Sequence, residues 1–234
     1  MTLSHKLGQI FSLRGWRSVR HALHRWLHPI SLPKIQAKID LEKLQSIRSR
    51  HGIDGEQTRY QKYLDLERFL QMNIRRIQDL RLNTAPPQHI LDLGSGAGWF
   101  LFAAKSFGHS GMGLDLPEPQ MFSETFSLFG LKRIAWKIEP MTLLPPLGQR
   151  FNLITAFSIC FNGHKSTRVW GVTEWEFLLN DLQKNLLEPG GRIYFDLNPE
   201  ADGSSVTPPL KAFFLQRGAT IDRSKVSISS PIVP

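Results

Sequence analysis

The chain has 234 residues, of which 41% are hydrophobic and 21% charged, a balance typical of a globular protein and not of a disordered or membrane-spanning one. Its single cysteine, Cys160, excludes an intrachain disulfide, and its longest apolar runs are far shorter than a membrane span. We therefore expect a cytoplasmic protein made of one domain and an extension.

The net charge of +9 is concentrated at the N-terminus, where residues 1–50 hold ten Lys and Arg against two acids and so carry +8. The first thirty residues have apolar side chains at helical spacing and basic or histidine side chains on the other faces. The apolar positions are Leu3, Leu7, Ile10, Trp16, Val19, Leu23, Trp26 and Ile30. Such a helix can lie at the periphery of an anionic membrane, contact RNA phosphates, or pack its apolar stripe against its own domain or a dimer partner.

Two further helical stretches follow this basic helix. The first runs from about Lys34 to Arg50, and the second, a long amphipathic one, runs from about Glu56 to Leu82. The pattern predicts a basic helical extension over residues 1–55 and a main domain over residues 56–234.

From His89 onward, apolar strand patterns alternate with helical ones, which is typical of a mostly parallel sheet covered by helices. The predicted strands are 89–93, 110–116, 133–139, 151–157 and 191–198, and the helices between them are 99–107, 118–129 and 172–187. A last helix and a short strand pair are expected after residue 210. The prediction is an α/β fold, a Rossmann-like three-layer α/β/α sandwich.

The most informative segment is Asp92-Leu93-Gly94-Ser95-Gly96-Ala97-Gly98, which lies between the first strand and the following helix. Glycines allow a positive φ and let a ligand approach the backbone closely. A dinucleotide-binding turn would need a third glycine where Trp99 stands, and the Gly-Lys-Ser/Thr of a P-loop is absent. What remains is an acid two residues before three alternating glycines, and this acid can accept hydrogen bonds from a cationic group.

This pattern resembles the first motif of the class I S-adenosylmethionine (SAM) dependent methyltransferases. The turn Pro189-Gly190 before the fifth strand is similar to the family as well, and the resemblance covers roughly residues 56–200. It implies SAM as the cofactor. Its binding residues would include Asp92, Gly94, Ser95, Gly96 and Gly98, and no metal is expected.

Further cofactor contacts are expected at the ends of the next strands. Asp115 follows Gly94 by 21 residues, the spacing of an acid that binds ribose hydroxyls, and Leu116 comes next. The resemblance implies that Glu139 approaches the adenine amino group. Because Pro140 has no N–H to donate, Met141 would supply the neighbouring backbone contact. At the end of the fourth strand, Phe157 is expected beside the cofactor.

The family places the loop after the fourth strand next to the reactive methyl and the acceptor. There, Asn162 could orient an acceptor group and His164 could take a proton, since a histidine titrates near working pH. Both could equally make backbone hydrogen bonds in a turn. The Asn/Asp-Pro-Pro-aromatic motif of amino-group DNA methylases is absent from this loop. Trp170, Trp175 and Phe177 could line the acceptor pocket or belong to the core.

The segment before the first strand closes over the methionine part of the cofactor in many family members. Here it contains Tyr60, Lys62 and Tyr63. Lys62 could meet the methionine carboxylate, or it could belong to a solvated helix face.

The sequence therefore predicts an enzyme that transfers a methyl group from SAM to an O, N or S nucleophile of an unidentified acceptor, with a small molecule favoured. Two alternatives stay open. One is a non-catalytic SAM-fold module that binds a membrane, RNA or a partner through residues 1–50, and the other is a nicotinamide-dependent oxidoreductase.

Overall fold

A computed structural model describes residues 13–51, 58–159, 161, 169–199 and 203–230. The described helices are α1 (Leu13–Leu27), α2 (Leu32–Gln36), α3 (Leu41–Arg50), α4 (Thr58–Gln61), α5 (Leu66–Asp79), α6 (Trp99–Lys105), α7 (Gln120–Leu128), α8 (Val172–Asp181) and α9 (Pro208–Gln216). The described strands are β1 (His89–Leu93), β2 (Ser110–Asp115), β3 (Lys132–Ala135), β4 (Phe151–Ile159), β5 (Leu187–Leu197), β6 (Thr220–Asp222) and β7 (Lys225–Ser229). A 3₁₀ turn, Lys62–Leu64, follows α4, and a π turn, Leu182–Leu186, follows α8.

The described strands form one seven-stranded sheet in the order β3-β2-β1-β4-β5-β7-β6. Neighbours from β3 to β5 are parallel, and β7 runs antiparallel to both β5 and β6. The chain moves from β1 towards β3 and then returns to the other side of β1 with β4. The carboxyl ends of β1 and β4 therefore form the switch point at which open α/β sheets bind ligands. The predicted Rossmann-like α/β fold is confirmed.

Helices cover both faces of the sheet, which makes the molecule a three-layer sandwich. One core lies under α2, α3, α5, α6 and α7, and the other lies under α8 and α9. Ile35, Leu44 and Ile47 of the predicted extension are buried in the first core. Arg50 also forms an ion pair with Glu124 of α7 at 2.5 Å. The helices α2 and α3 are thus packed on the main domain.

Several predicted elements differ from the observed ones. The single helix expected over 34–50 is two helices, α2 and α3, because Asp40 has an extended backbone and its carboxylate accepts a hydrogen bond from the backbone N–H of Lys43. The long helix expected over 56–82 is interrupted before α5, because Asp65 has an extended backbone and its carboxylate accepts a hydrogen bond from the backbone N–H of Arg68. An aspartate at this position caps a new helix. Strand β3 ends at Ala135 and not at Glu139, because its partner β2 ends at Asp115, the residue paired with Ala135.

The basic helix α1 packs with its polar side towards the domain. His24 Nε2 lies 3.0 Å from Asn83 Oδ1, and Arg25 donates to Asp79 at 3.1 Å. The apolar side chains of Val19, Leu23, Trp26 and Leu27 are exposed, and Trp26 is 76% exposed. No helix within the described ranges is long and apolar enough to cross a bilayer.

Candidate cofactor site

The glycine turn after β1 adopts a conformation that only glycine takes readily. Gly94, Gly96 and Gly98 have φ values of 66°, 54° and 79°. A Cβ at position 94 would lie 2.5 Å from Cδ1 of Ile159, and one at position 98 would lie 2.7 Å from Cε2 of Phe126. At Gly96, in contrast, no heavy atom of the described residues lies within 4 Å of the Cβ position. The turn is therefore packed at both ends and open in the middle, where a ligand can approach the backbone.

Asp92, the acid before the turn, is buried at the end of β1. It pairs with Thr155 across the β1–β4 ladder, and the Thr155 hydroxyl donates to its carboxylate at 2.7 Å. Burial raises the pKa of Asp92 to about 7, although this hydrogen bond and the charge of Arg76 act in the opposite direction. Because few groups stabilise the negative charge of this carboxylate, a cationic group of a ligand would stabilise its ionised form.

Asp115, at the end of β2, holds the turn from the other side. Its carboxylate accepts from the backbone N–H of Gly96 at 2.5 Å and from that of Leu116 at 2.7 Å. Burial raises the pKa of Asp115 despite these two hydrogen bonds. Because a carboxylate has about four acceptor positions, two remain for ligand hydroxyls. The Leu116 side chain is half exposed beside it.

Arg76 of α5, which no sequence pattern predicted as a site residue, lies over the end of β4. Its guanidinium is 4.4 Å from the Phe157 ring centroid and donates to the Ser158 hydroxyl at 3.0 Å. Burial lowers the pKa of Arg76, and the charge of Asp92 opposes that shift. Arg76 and Phe157 thus stand at the switch point beside Asp92. No local motif marks Arg76, since only the packing of α5 against the sheet brings it there.

Trp99, the residue that breaks the dinucleotide pattern, has a structural role. Its indole N–H donates to the carbonyl of Tyr63 at 2.7 Å, and its ring is buried. This bond fixes the segment before α5 against the glycine turn. Lys62 in the same segment is exposed, with its ammonium 5.2 Å from the Tyr63 ring centroid. The buried hydroxyl of Ser95 has no hydrogen-bond partner in the part of the chain that the structure describes.

The remaining predicted residues are exposed after β3 or lie outside the described residues. Glu139 is exposed four residues beyond β3 and pairs with Lys137 at 2.7 Å, while Met141 is exposed with a φ of 56°. Their proposed adenine contacts stay predictions. Asn162 and His164 lie outside the described residues, as does Cys160.

Trp170 and Trp175 are core residues in the structure. Both are buried in the core under α8 and α9, where Phe161 stacks on Trp170 at 5.3 Å and meets Trp175 edge-on at 5.0 Å. Among the described residues, no group of three or more His, Cys, Asp and Glu could hold a metal ion.

No protein-family model matches the chain, and no curated protein matches it either. Among solved structures it is similar to SAM-bound CalS10, an amino pentose methyltransferase from Micromonospora echinaspora, at 22% identity over 55% of this chain and 50% of that one, with a TM-score of 0.41. It is also similar to DesVI of Streptomyces venezuelae, at 23% identity over 56% and 52%, with a TM-score of 0.40.

A third similar structure is the glycopeptide N-methyltransferase MtfA, at 15% identity over 56% of this chain and 53% of that one, with a TM-score of 0.40. The matched part spans about half the length of each of these proteins. The likeness is one of fold.

Proposed function

We propose that the chain binds SAM at the carboxyl edge of β1, β2 and β4 and transfers its methyl group to an O, N or S nucleophile of a small-molecule acceptor. The observation that carries this proposal is a pair of carboxylates, the buried Asp92 and the half-buried Asp115, on either side of a glycine turn that is open at Gly96.

The residues present fit the chemical groups of SAM. Asp115 has free acceptor positions for the two ribose hydroxyls, and Asp92 would accept from the ammonium of the methionine part. Arg76 supplies a guanidinium beside Asp92 for the methionine carboxylate and replaces Lys62 in that proposed role. When bound, SAM supplies an electrophilic methyl group. The chain's own contribution is alignment, which such displacements chiefly need.

The structure gives the nicotinamide alternative no support. A dinucleotide turn uses its third glycine for close helix–strand packing, and that place is taken here by the buried Trp99. Nothing observed favours the non-catalytic alternative, since the acids of the turn are intact.

Methyl transfer can be tested by incubating the protein with isotopically labelled SAM and fractionated cell extract. We expect label in a low-molecular-weight fraction, with loss of transfer in Asp115→Asn. His164→Ala and Asn162→Ala should lower transfer while SAM binding is kept, because both residues are proposed to face the acceptor. Full transfer by His164→Ala and Asn162→Ala would remove these residues from the reaction, and no transfer by the wild type would contradict the proposal.

We further propose that α1 attaches the enzyme to the periphery of an anionic membrane. Its apolar residues Val19, Leu23, Trp26 and Leu27 are exposed, at a spacing that places them on one face. Residues 1–50 carry a net +8. Exposed apolar and aromatic residues on a basic helix favour a lipid surface over RNA, because the apolar side chains gain by leaving water in a bilayer.

Co-sedimentation with vesicles tests this attachment. We expect binding to phosphatidylglycerol-containing vesicles and not to phosphatidylcholine alone, with Leu23→Ser about tenfold weaker. Leu215→Ser is the matched control, since Leu215 of α9 is similarly exposed and lies far from α1 in sequence. Equal binding by Leu23→Ser and wild type, or binding to RNA without binding to vesicles, would contradict the proposal.

A further inference from the structure

A cavity of about 700 Å³ lies between α1, α5 and the strands β5, β6 and β7. The side chains of β5 alternate, so that Ile193 and Phe195 enter the core under α8 and α9 while Arg192, Tyr194 and Asp196 line this cavity. The sheet therefore presents a polar surface to α1.

The charges around the cavity do not balance. Its charged lining comprises Arg20, Arg25, Arg81, Arg192, Arg223 and Lys225 against Asp79, Asp196 and Asp222, with His21 beside them. Asp79 is already paired with Arg25 at 3.1 Å and with Lys225 at 3.2 Å. Asp196 accepts from the Ser224 hydroxyl at 2.7 Å.

Four arginines of the cavity lining have no carboxylate as an ion-pair partner among the described residues. Arg20, Arg81 and Arg223 make no side-chain hydrogen bond or ion pair with any described residue, and neither does Asp222. Arg192 is the most enclosed of the four. Its one side-chain hydrogen bond within the described chain is a long one, 3.5 Å, to the carbonyl of Leu80.

Arg192 provides the physical argument for a ligand. Burial lowers the pKa of its guanidinium, which shows that the protein compensates this charge poorly. The Nδ1 atom of His21, shielded from solvent, has no hydrogen-bond partner in the described chain and lies 3.6 Å from Asp79 Oδ1. A bound anion would neutralise the surplus positive charge and could accept hydrogen bonds from guanidinium groups, which match the geometry of phosphate oxygens.

We propose that this cavity is a binding site for a small phosphate-bearing anion, held by Arg192 on the sheet and by Arg81 at the end of α5. The lining of this cavity shares no residue with the proposed SAM site, although Tyr194 packs against Phe157 with ring centroids 5.7 Å apart. Occupancy of the cavity does not depend on methyl transfer.

Calorimetric titration of the full chain with inorganic pyrophosphate at constant ionic strength tests this proposal. We expect saturable binding, which Arg192→Met weakens about tenfold and Arg81→Gln weakens several-fold, since each loses a charge-assisted hydrogen bond. The matched control is Arg75→Gln, on the exposed side of α5 and outside the cavity lining, which should leave the affinity unchanged. Arg81 is exposed, so its variant stays informative if Arg192→Met fails to fold.

No saturable binding by the wild type, or equal weakening by Arg75→Gln, would overturn the proposal. Displacement of pyrophosphate by phosphatidic acid vesicles would identify a lipid headgroup as the source of the phosphate. Binding that these vesicles do not disturb would identify a soluble ligand. Saturation by pyrophosphate alongside an absence of SAM binding would support this site while contradicting the proposed function.

Discussion

The helices α1 and α5 are both amphipathic by sequence, yet α5 turns its apolar side towards the sheet and α1 turns its polar side towards it. In α5, Leu70, Ile74 and Ile77 are buried in the core. In α1, Leu23 and Trp26 are exposed, and the contacts with the domain come from histidine and arginine side chains.

The surface beneath each helix explains this difference. The core below α5 contains Ile90 and Leu153 of β1 and β4, whereas the cavity below α1 is lined by Arg192, Tyr194 and Lys225 of β5 and β7. Helical periodicity therefore shows which residues share a face, but the adjoining surface decides which face turns inward. On this face of the sheet, the half around the glycine turn is apolar and the half around α1 is polar.

The largest expected effect is the pH dependence that Asp92, the buried carboxylate of the apolar half, gives to the free energy of unfolding. The pKa of Asp92 is about 7 in the folded chain and about 3.9 when unfolded, so the folded state binds more protons between these values. The stability contributed by Asp92 is complete below about pH 4 and is lost as pH rises to about 7, by about 4 kcal/mol. Urea unfolding of wild type and Asp92→Asn should show this as a difference that falls with pH. A difference independent of pH would contradict the assignment.

The next contrast removes a leucine from each helix. We expect Leu70→Ala in α5 to lower the free energy of unfolding by about 3 kcal/mol, because it leaves a cavity in the core. Leu23→Ala in α1 should change it by less than about 0.5 kcal/mol, because this side chain is exposed. Urea unfolding of both variants measures the contrast, and equal losses would mean that α1 buries its apolar face after all.

A third contrast replaces an aspartate at the end of a strand in each half. Asp115→Asn should weaken binding of S-adenosylhomocysteine by about tenfold or more, since it loses charge-assisted hydrogen bonds to the ribose. Asp222→Asn, at the end of β6, should leave that affinity unchanged. Calorimetric titration gives both values, and an unchanged affinity in Asp115→Asn would remove this residue from the site.

The smallest contrast replaces a tryptophan by phenylalanine in each half. Trp99→Phe removes the hydrogen bond to the Tyr63 carbonyl and should lower the free energy of unfolding by about 1 kcal/mol. Trp26→Phe should have no measurable effect, because Trp26 makes no hydrogen bond with the described residues. Thermal unfolding monitored by circular dichroism is sufficient here, and a larger loss in Trp26→Phe would reverse the comparison.

The sequence was most informative where a feature depends on neighbouring residues. The glycine turn, Asp92 and Asp115 could be predicted because short spacings place them at the ends of adjacent parallel strands. Arg76 could not, since it reaches Phe157 only after α5 packs against β4. The break at Asp65 was missed because the apolar spacing continues across it, although an aspartate before Leu66 is itself a helix-start signal. The orientation of α1 depends on strands at least 160 residues away in sequence.

The most direct test of the account is calorimetric titration of the wild-type chain with SAM and, separately, with NAD. The proposed site predicts a one-site binding isotherm with SAM and no binding of NAD. Asp92 and Asp115 supply hydrogen-bond acceptors for SAM beside the open backbone at Gly96, whereas Trp99 occupies the position of the third glycine in a dinucleotide-binding turn. Binding of NAD together with no heat from SAM at millimolar concentration would contradict the assignment of the glycine turn.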